Sequence, residues 1–454
     1  EAFRPKVPTM LSELLSHQNF ADMVLATDPR FKFTVSRAYY KGILKFLSAQ
    51  NGTSYTVQPL PVNHFRIDLK GNGVQLSWKA VIDPLEPTAT PTAYRIYTRT
   101  EEHGFDNGFT VSDTTVAVPN LKPGVIYSFK ITAVNSGGES FPSEILACSL
   151  PEKDGKVALV VNGFDRICAP AAFDNGEKAG FLTNEDEGVG YQTDIAFVGE
   201  QYDFDRKSPW LDNDAPGFGA VYSDHETTIK PGNTFDYTLI HGKALRSNGL
   251  GFVSMSDEAF ERQNWDKEHY TLLDLIFGEE KSTQNLYGYP NRDFTIFTPA
   301  MQKAIGEFIH GDNAKILISG AYIGTDLALC NDTLAKKFAA EKLHYKPITN
   351  HASRLPVVVP VGKWRTEFDS SFNFNSEPSA HLYKVEAPDA IEAVGNSAET
   401  IFRYGENNKG AAVGFSGNYR SVVMGFPFET VDGDETKDKL MKQILLFLNV
   451  TDNK

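Results

Sequence analysis

Cysteine is scarce: Cys148, Cys168 and Cys330 are the three in 454 residues. The odd count leaves at least one thiol unpaired, and no Cys-x-x-Cys pair occurs. Neither a disulfide framework nor a zinc site of that type is expected. No apolar run approaches the ~18 residues that a membrane helix needs, so no membrane span is expected. No Gly-x-Gly-x-x-Gly follows the first strand of the C-terminal region, and no Gly-x-x-x-x-Gly-Lys-Ser/Thr occurs. Dinucleotide and P-loop sites are therefore not expected. Positive charge is in deficit, with 44 Lys and Arg against 58 Asp and Glu, a net charge of −14. An acidic surface repels phosphate backbones, which argues against a nucleic-acid partner. The ten His are scattered. His225, His241, His344 and His351 form no ligand spacing, so no metal ligand is assigned.

What the chain does have is apolar and aromatic material. Apolar residues make up 41% and aromatics 12%, with 32 Phe and 18 Tyr. At about 150 residues per domain the length suggests about three domains. The opening Glu1-Ala2-Phe3-Arg4-Pro5 has no basic or apolar leader pattern. The expectation is of a processed or truncated product with no signal peptide in the given residues.

Val7-Pro8-Thr9-Met10-Leu11 reads as a short buried strand. Asp28-Pro29-Arg30-Phe31 reads as a helix start with Pro in the first turn. Phe31, Val35, Ala38, Tyr39, Gly42, Ile43, Phe46 and Leu47 then recur at threes and fours as one apolar stripe. Residues 1–50 are thus a strand-and-helix piece too small for a core of its own. Val7 to Glu13, Ser16-His17-Gln18-Asn19 and the 28–47 helix resemble the C-terminal end of zinc-dependent N-acetylmuramoyl-L-alanine amidases. The resemblance implies a catalytic acid/base role for Glu13, read here as a relic because that family's zinc ligands precede this strand. No cofactor is expected in this chain, and zinc only alongside the half that carries those ligands.

After a 51–58 linker, residues 59–151 alternate apolar and polar positions between Gly, Pro and Asp clusters. Strands are expected at 65–69, 74–80, 93–98, 115–118 and 126–135. About seven short strands in some 90 residues mark an all-β sandwich. Trp78 takes an inward position, and Leu121-Lys122-Pro123-Gly124-Val125-Ile126-Tyr127 has tyrosine-corner spacing. Together these resemble a fibronectin type III module, a spacer or binding surface, with Trp78 and Tyr127 in its core.

Residues 155–454 alternate strands and helices. Val157-Ala158-Leu159-Val160-Val161 is continuously apolar, as in a strand buried on both faces. Similar strands are expected at 235–240, 251–255, 272–277, 314–318 and 420–425. Helices are expected at 299–309, 331–343 and 434–448. The pattern predicts a three-layer α/β domain with a mostly parallel sheet. Ligands in such sheets sit beyond the carboxyl ends of the strands. That rule nominates Asp165 after the first strand and Glu279 and Glu280 after 272–277. It also nominates Ser319, Tyr322 and Asp326 after 314–318. The strand–turn–helix at Ser319 to Asp326, with Gly278-Glu279-Glu280 one strand earlier, looks like the glutamine-amidotransferase-like, flavodoxin-like group. Tyr322 stands where that group's elbow has Cys or Ser, which argues against amidotransfer. The plain alternative is a tight turn with Thr325 or Asp326 capping a helix. Residues 164–233 are a long aromatic-rich insertion, read as a lid, a polysaccharide-facing surface or a self-packed decoration. Residues 366–376 form a second such loop.

The three-part order resembles exported bacterial proteins named as cell-wall amidases or xanthan lyases. It implies a secreted, periplasmic or cell-surface location and a cell-wall glycan or other polysaccharide as partner. The first functional expectation is an accessory, non-catalytic portion of a peptidoglycan amidase. The second is a carbohydrate- or peptide-active hydrolase or lyase working at the strand ends of 155–454.

Overall fold

The computed structural model of the chain describes residues 6–152, 155–183, 185–194, 201–202, 204–210, 217–219, 221–222, 230–284, 292–311, 313–329, 333–366, 368, 371–377, 379 and 382–451. Readings that involve Glu1 to Pro5, Lys153, Asp154, His225, Cys330, Asn331, Glu367, Asp369, Ser370 and much of 164–233 lie outside the described residues. Among the described residues, no helix is long and apolar enough to cross a membrane.

The expected strand at 7–11 does not form. Those residues join no strand among the described residues, and Val7, Met10 and Leu11 are exposed. Among the described residues no strand pairs with them to take their backbone hydrogen bonds, so an apolar run alone does not make a strand. Helix α1 (Phe20–Thr27) is capped by Asn19, whose side chain accepts from the Ala21 and Asp22 amides. Helix α2 (Pro29–Asn51) starts on Asp28, which accepts the Arg30 amide, and ends at Gly52 in the left-handed region. The stripe expected to dock α2 is not its docking face at the C-terminal half, where Ile43, Phe46 and Leu47 are exposed. Polar groups dock it instead. Arg37 and Lys41 reach the buried Asp83 carboxylate at 3.0 and 2.8 Å, and Tyr40 accepts the Gln58 amide at 3.2 Å. A buried carboxylate needs such partners, and the helix register follows them. The 51–58 segment is packed rather than loose: Val57 is fully buried, and its carbonyl accepts from Asn135 Nδ2 at 2.9 Å.

The sandwich has strands β1 (Asn63–Lys70), β2 (Gly73–Lys79), β3 (Ala93–Thr100), β4 (Phe109–Val111), β5 (Thr115–Val118), β6 (Ile126–Asn135) and β7 (Leu146–Ser149). One sheet pairs β1, β2 and β5; the other pairs β4, β3, β6 and β7, all antiparallel. Trp78 is buried edge-to-face against Tyr94, ring centroids 5.4 Å apart. The Tyr127 hydroxyl accepts the Lys122 amide at 3.2 Å, the corner its spacing implied.

The C-terminal region continues with β8 (Val157–Asn162), α3 (Tyr237–Ser247), β9 (Gly251–Ser256), α4 (Asp257–Phe260), β10 (Leu272–Gly278), α5 (Pro299–Phe308), β11 (Lys315–Gly320), α6 (Ile323–Leu329) and α7 (Thr333–Phe338). Strands β12 (Val357–Pro360), β13 (Ala398–Tyr404), β14 (Gly410–Ser416) and β15 (Arg420–Met424) and helix α8 (Asp434–Phe447) follow, and Tyr345–Thr349 pairs antiparallel with Ala390–Ala393 beside them. The strands run β9-β8-β10-β11-β15 in parallel, and then β14, β13 and β12 extend the sheet antiparallel. Every residue of β8, β9 and β10 is buried, which explains the unbroken apolar run Val157–Val161 of β8 and the mostly apolar β9 and β10, whose polar members are Ser254, Ser256 and Asp274.

The strand expected at 235–240 is instead the start of α3. Tyr237, Leu239, His241, Ala244 and Leu245 are all buried, so this helix has no wide polar face for a periodicity to reveal. The expected 331–343 helix is α7 followed by a π-helical turn, Ala339–Leu343.

Sandwich and α/β region share their sheet. β7 and β9 pair antiparallel through Ser149 and Phe252, and β1 meets β9 through Arg66 and Met255. The buried Ser254 hydroxyl donates to the Ala147 carbonyl at 2.7 Å and accepts the Ala147 amide at 2.9 Å. The described part of the insertion packs Phe181 and Phe204 against Met23 and Phe20 of α1.

Candidate functional site

The strand order reverses at β8: the chain steps from β8 to β9 on one side, then returns to β10 on the other. A crevice opens beyond the carboxyl ends at such a switch point. Register holds Asn162, the last residue of β8, beside Ser256 of β9 and Ile276 of β10. Three chain ends therefore converge. Phe164, Asp165 and Arg166 follow β8; Asp257 and Glu258 open α4 after β9; Glu279 and Glu280 follow β10. Ser256 caps α4 by accepting the Ala259 amide, which sets Asp257 and Glu258 in its first turn. Gly278, at φ +45°, makes the last bend of β10 possible, since a Cβ there would sit 2.2 Å from the Phe164 ring.

The result is a knot of carboxyl groups. Oxygens of Asp165, Asp257 and Glu258 lie within 4.8 Å of one another. Glu144, just ahead of β7, joins from the sandwich side, with Asn162 Nδ2 3.5 Å from its Oε2. Burial, reinforced by the Glu258 charge, pushes Asp165 up to about 7. Burial and then the Glu258 and Asp165 charges hold Glu144 well above the usual carboxyl range, and Asp257 is raised in the same way. Glu280 is raised by burial and by Asp165, even though its Oε2 accepts the Arg166 amide at 3.1 Å. The Arg166 guanidinium lies 3.6 Å from Glu280 Oε1 and sits over the Phe294 ring at 3.8 Å. Three acceptors here are buried with no hydrogen-bond donor: Asn162 Oδ1, Asp165 Oδ1 and Glu280 Oε1.

A cavity of about 490 Å³ opens onto this knot, lined by Glu144, Asp165 and Glu258 together with α2 and the sandwich. Its aromatic residues form a row. Phe33 meets Phe141 at 5.9 Å, Phe141 stacks on Tyr191 at 5.7 Å, and Tyr191 meets Phe235 at 5.4 Å.

A second cavity of about 390 Å³ lies beside the ends of β10 and β11, lined in part by Cys168, Asp186, Lys281, Tyr322, Thr325 and Asp326. Lys281 Nζ bonds Asp186 Oδ2 at 2.6 Å and the Ala169 carbonyl at 3.1 Å. Glu279 is buried and raised by burial and by Glu386, which is itself pushed up to about 8 by burial and the Asp186 and Glu187 charges. Burial and the carboxylates of Asp186 and Glu279 hold the Tyr322 hydroxyl well above its usual range, which disfavours a nucleophilic phenolate.

The structure divides the residues nominated from sequence. Asp165 and Glu280 meet at the switch point; Tyr322 and Asp326 line the second cavity, and Glu279, which does not line it, is buried within electrostatic reach of its Asp186 and Lys281. Ser319 is fully buried and lines neither cavity described. Glu13 is exposed on the irregular N-terminal segment and lines neither. Asp326 holds a loop: its carboxylate accepts from the Ser282 hydroxyl and from the Ile296 amide at 3.2 Å. The expectation that Thr325 or Asp326 caps the helix is corrected. Asp389 does so from a distant segment, accepting the Gly324 and Thr325 amides at 2.5 and 2.7 Å and the Thr325 hydroxyl at 2.5 Å. Burial pushes Asp389 up to about 7 despite these bonds. Asp257, Glu258 and Glu144 were not nominated. The strand-end rule applied to β9 finds Asp257 and Glu258, whereas Glu144 arrives through inter-domain register that no local pattern records.

No curated protein matches the chain. Among solved structures it is similar to the kinase region of twitchin from C. elegans, at 26% identity over 22% of this chain and 18% of that one, TM-score 0.20. It is similar also to the sixth fibronectin type III domain of human fibronectin type III domain containing protein 3, at 18% identity over 22% of this chain and 94% of that one, TM-score 0.20. The chain thus spans under a fifth of the twitchin region. The fibronectin type III family model matches residues 59–149, the stretch that carries the buried Trp78 and the Tyr127 corner, and this segment is a fibronectin type III domain.

Proposed function

We propose that the chain is an accessory, non-catalytic portion of a secreted cell-wall-processing protein and that it binds glycan in the switch-point cavity. One observation carries this reading: the row Phe33, Phe141, Tyr191 and Phe235 runs along a cavity that ends on the carboxyl groups of Glu144, Asp165 and Glu258. Aromatic faces stack on sugar rings, and carboxyl groups accept sugar hydroxyls. The amidase-like residues Val7 to Glu13 supply the cell-wall context. The strand order β9-β8-β10-β11-β15 matches the flavodoxin-like pattern, and right-handed crossovers in that pattern cover both sheet faces with helices.

The test is co-sedimentation with insoluble peptidoglycan. Phe141→Ala and Tyr191→Ala are expected to weaken binding about tenfold, a loss of ~1.4 kcal/mol. Retention equal to the parent chain in both variants overturns the reading. Incubation with and without added zinc is expected to release no soluble fragments.

A second reading is glycan cleavage at the same place, favoured by the closeness of the three strand-end carboxyl groups. Their spacing lies nearer the ~5–5.5 Å of double displacement than the ~6.5–9.5 Å of single displacement. Release of reducing ends from the same suspension, abolished in Glu258→Gln, would establish it.

A further inference from the structure

We propose that the second cavity, beside the ends of β10 and β11, binds a small neutral ligand through an amide carbonyl, with the Tyr322 hydroxyl and the Lys281 ammonium group as donors to its oxygen. This goes beyond the glycan reading and does not depend on it.

The cavity of about 390 Å³ has a buried tyrosine in its wall. Tyr322 is 4% exposed, and among the described residues its hydroxyl has no hydrogen-bond partner. Nor is that oxygen one of the partnerless polar atoms sealed away from water, so it reaches the open space that the residue lines. A buried Tyr hydroxyl ordinarily finds a partner, and one left open on a cavity wall marks a place for a ligand. Burial and the carboxylates around it keep the hydroxyl protonated, so it serves as a donor. Lys281 Nζ lies 5.6 Å from the Tyr322 ring centroid. It spends two of its three N–H groups on Asp186 Oδ2 and the Ala169 carbonyl, and the third remains.

The carboxylates on the same wall are already engaged. Asp186 Oδ1 accepts the Gly188 amide at 3.0 Å, and its Oδ2 accepts Lys281. Both Asp28 oxygens accept from Arg30, and Asp326 Oδ1 accepts from Ser282 and Ile296. The unused capacity is therefore donor capacity, and the complementary ligand is an acceptor. Charge decides which acceptor. Lys281 is paired with Asp186 and Arg30 with Asp28, so neither cation is left over to draw an anion. A neutral carbonyl needs no counter-charge and is a strong acceptor. Val24, Pro170, Ala171 and Ala172 give the wall an apolar side. An acetamido-like group matches both sides, its oxygen toward Tyr322 and Lys281 and its methyl toward the alanines.

Saturation-transfer NMR on the full chain tests the site with four probes: N-acetylglucosamine, N-acetylalaninamide, glucose and sodium acetate. Titration to about 20 mM reaches beyond the ~1 mM affinity of ligands this small. At least one amide is expected to bind, with transfer strongest at its acetyl methyl, and glucose and acetate at least fivefold more weakly. The tighter amide identifies a sugar or a peptide as the source. Tyr322→Phe keeps the ring and is expected to melt with the parent chain, because the hydroxyl bonds nothing in the protein. Its amide affinity is expected to fall about fivefold, the effect of one neutral hydrogen bond. Ala172→Phe, at an exposed position on the cavity wall, is expected to fill the space and abolish binding. No transfer to either amide overturns the proposal. So does glucose or acetate binding as tightly as the amides, or an amide affinity unchanged in either folded variant. Peptidoglycan co-sedimentation reads the switch-point cavity separately, so loss of either result leaves the other standing.

Discussion

The imidazole Nδ1 of His241 lies 2.8 Å from the Asp274 carboxylate, with both side chains wholly buried. Its Nε2 is 3.3 Å from Glu429, whose other oxygen accepts the Tyr383 hydroxyl at 2.7 Å. Burial alone would lower the imidazole pKa, but the two carboxylates outweigh it and push it up to about 9. α3, β10, the 428–430 turn and the 382–389 segment are thus tied by one buried cation between two anions.

The consequence is a pH-dependent stability. A raised histidine pKa contributes stability that is complete below the unfolded value of ~6.5 and is lost as pH rises through about 9. Urea midpoints measured from pH 6 to pH 10 are expected to fall between about pH 6.5 and pH 9 and to level off beyond. His241→Gln leaves two buried carboxylates without their cation, at a cost of ~3–5 kcal/mol near neutral pH. The gap between parent and variant should narrow as pH rises from about 6.5 to about 9 and level off beyond, and a gap independent of pH would remove the charged-imidazole account.

α2 is held through Asp83. Arg37 and Lys41 both reach its carboxylate, and although burial works to raise Asp83, those two hydrogen bonds bring its pKa below the usual value. A depressed carboxyl contributes stability above its unfolded pKa that is lost as pH falls through the folded one. Asp83→Asn is expected to weaken the docking of α2 by ~1–3 kcal/mol. Amide exchange in 29–51 should quicken while exchange in β10 and β11 does not. Unchanged exchange in α2 would mean that its other contacts suffice.

Gly278→Ala is expected to destabilise the chain by several kcal/mol, because the position combines φ +45° with a Cβ site 2.2 Å from the Phe164 ring. Gly249→Ala is the control: its φ is +82°, but nothing lies within 4 Å of its Cβ site, so only the backbone cost of ~1 kcal/mol applies. Thermal denaturation of the two variants separates contact from strain. Equal losses would show that Phe164 moves aside.

These residues also show what could be read without coordinates. β8, β10 and β11 were legible because strands covered on both faces are mostly apolar. The sandwich was legible through Trp78 and the Leu121-to-Tyr127 spacing. α3 was misread because a helix buried nearly all round loses its period. β12, β13 and β14 were missed because their antiparallel pairing mixes Gly, Pro and charged residues. Asp165 and Glu280 follow from the strand-end rule, and their separation from Glu279 does not. Adjacent residues leave a strand end in opposite directions, and sequence order hides that.

The junction between the two regions rests on Ser254. Its hydroxyl satisfies both backbone groups of Ala147, and both hydrogen bonds are buried. Ser254→Ala leaves a buried amide and a buried carbonyl without partners, at ~1–3 kcal/mol for each group left unpaired. Because β7 belongs to the fibronectin type III sandwich and β9 to the parallel sheet, the loss falls on their coupling. Calorimetry of the parent chain is expected to give one transition for residues 59–451, since the two sheets are hydrogen-bonded into one. In Ser254→Ala that transition should move down and broaden toward two. A variant that melts at a lower temperature but as sharply as the parent would place the coupling elsewhere, in the Phe252–Ser149 and Arg66–Met255 pairings.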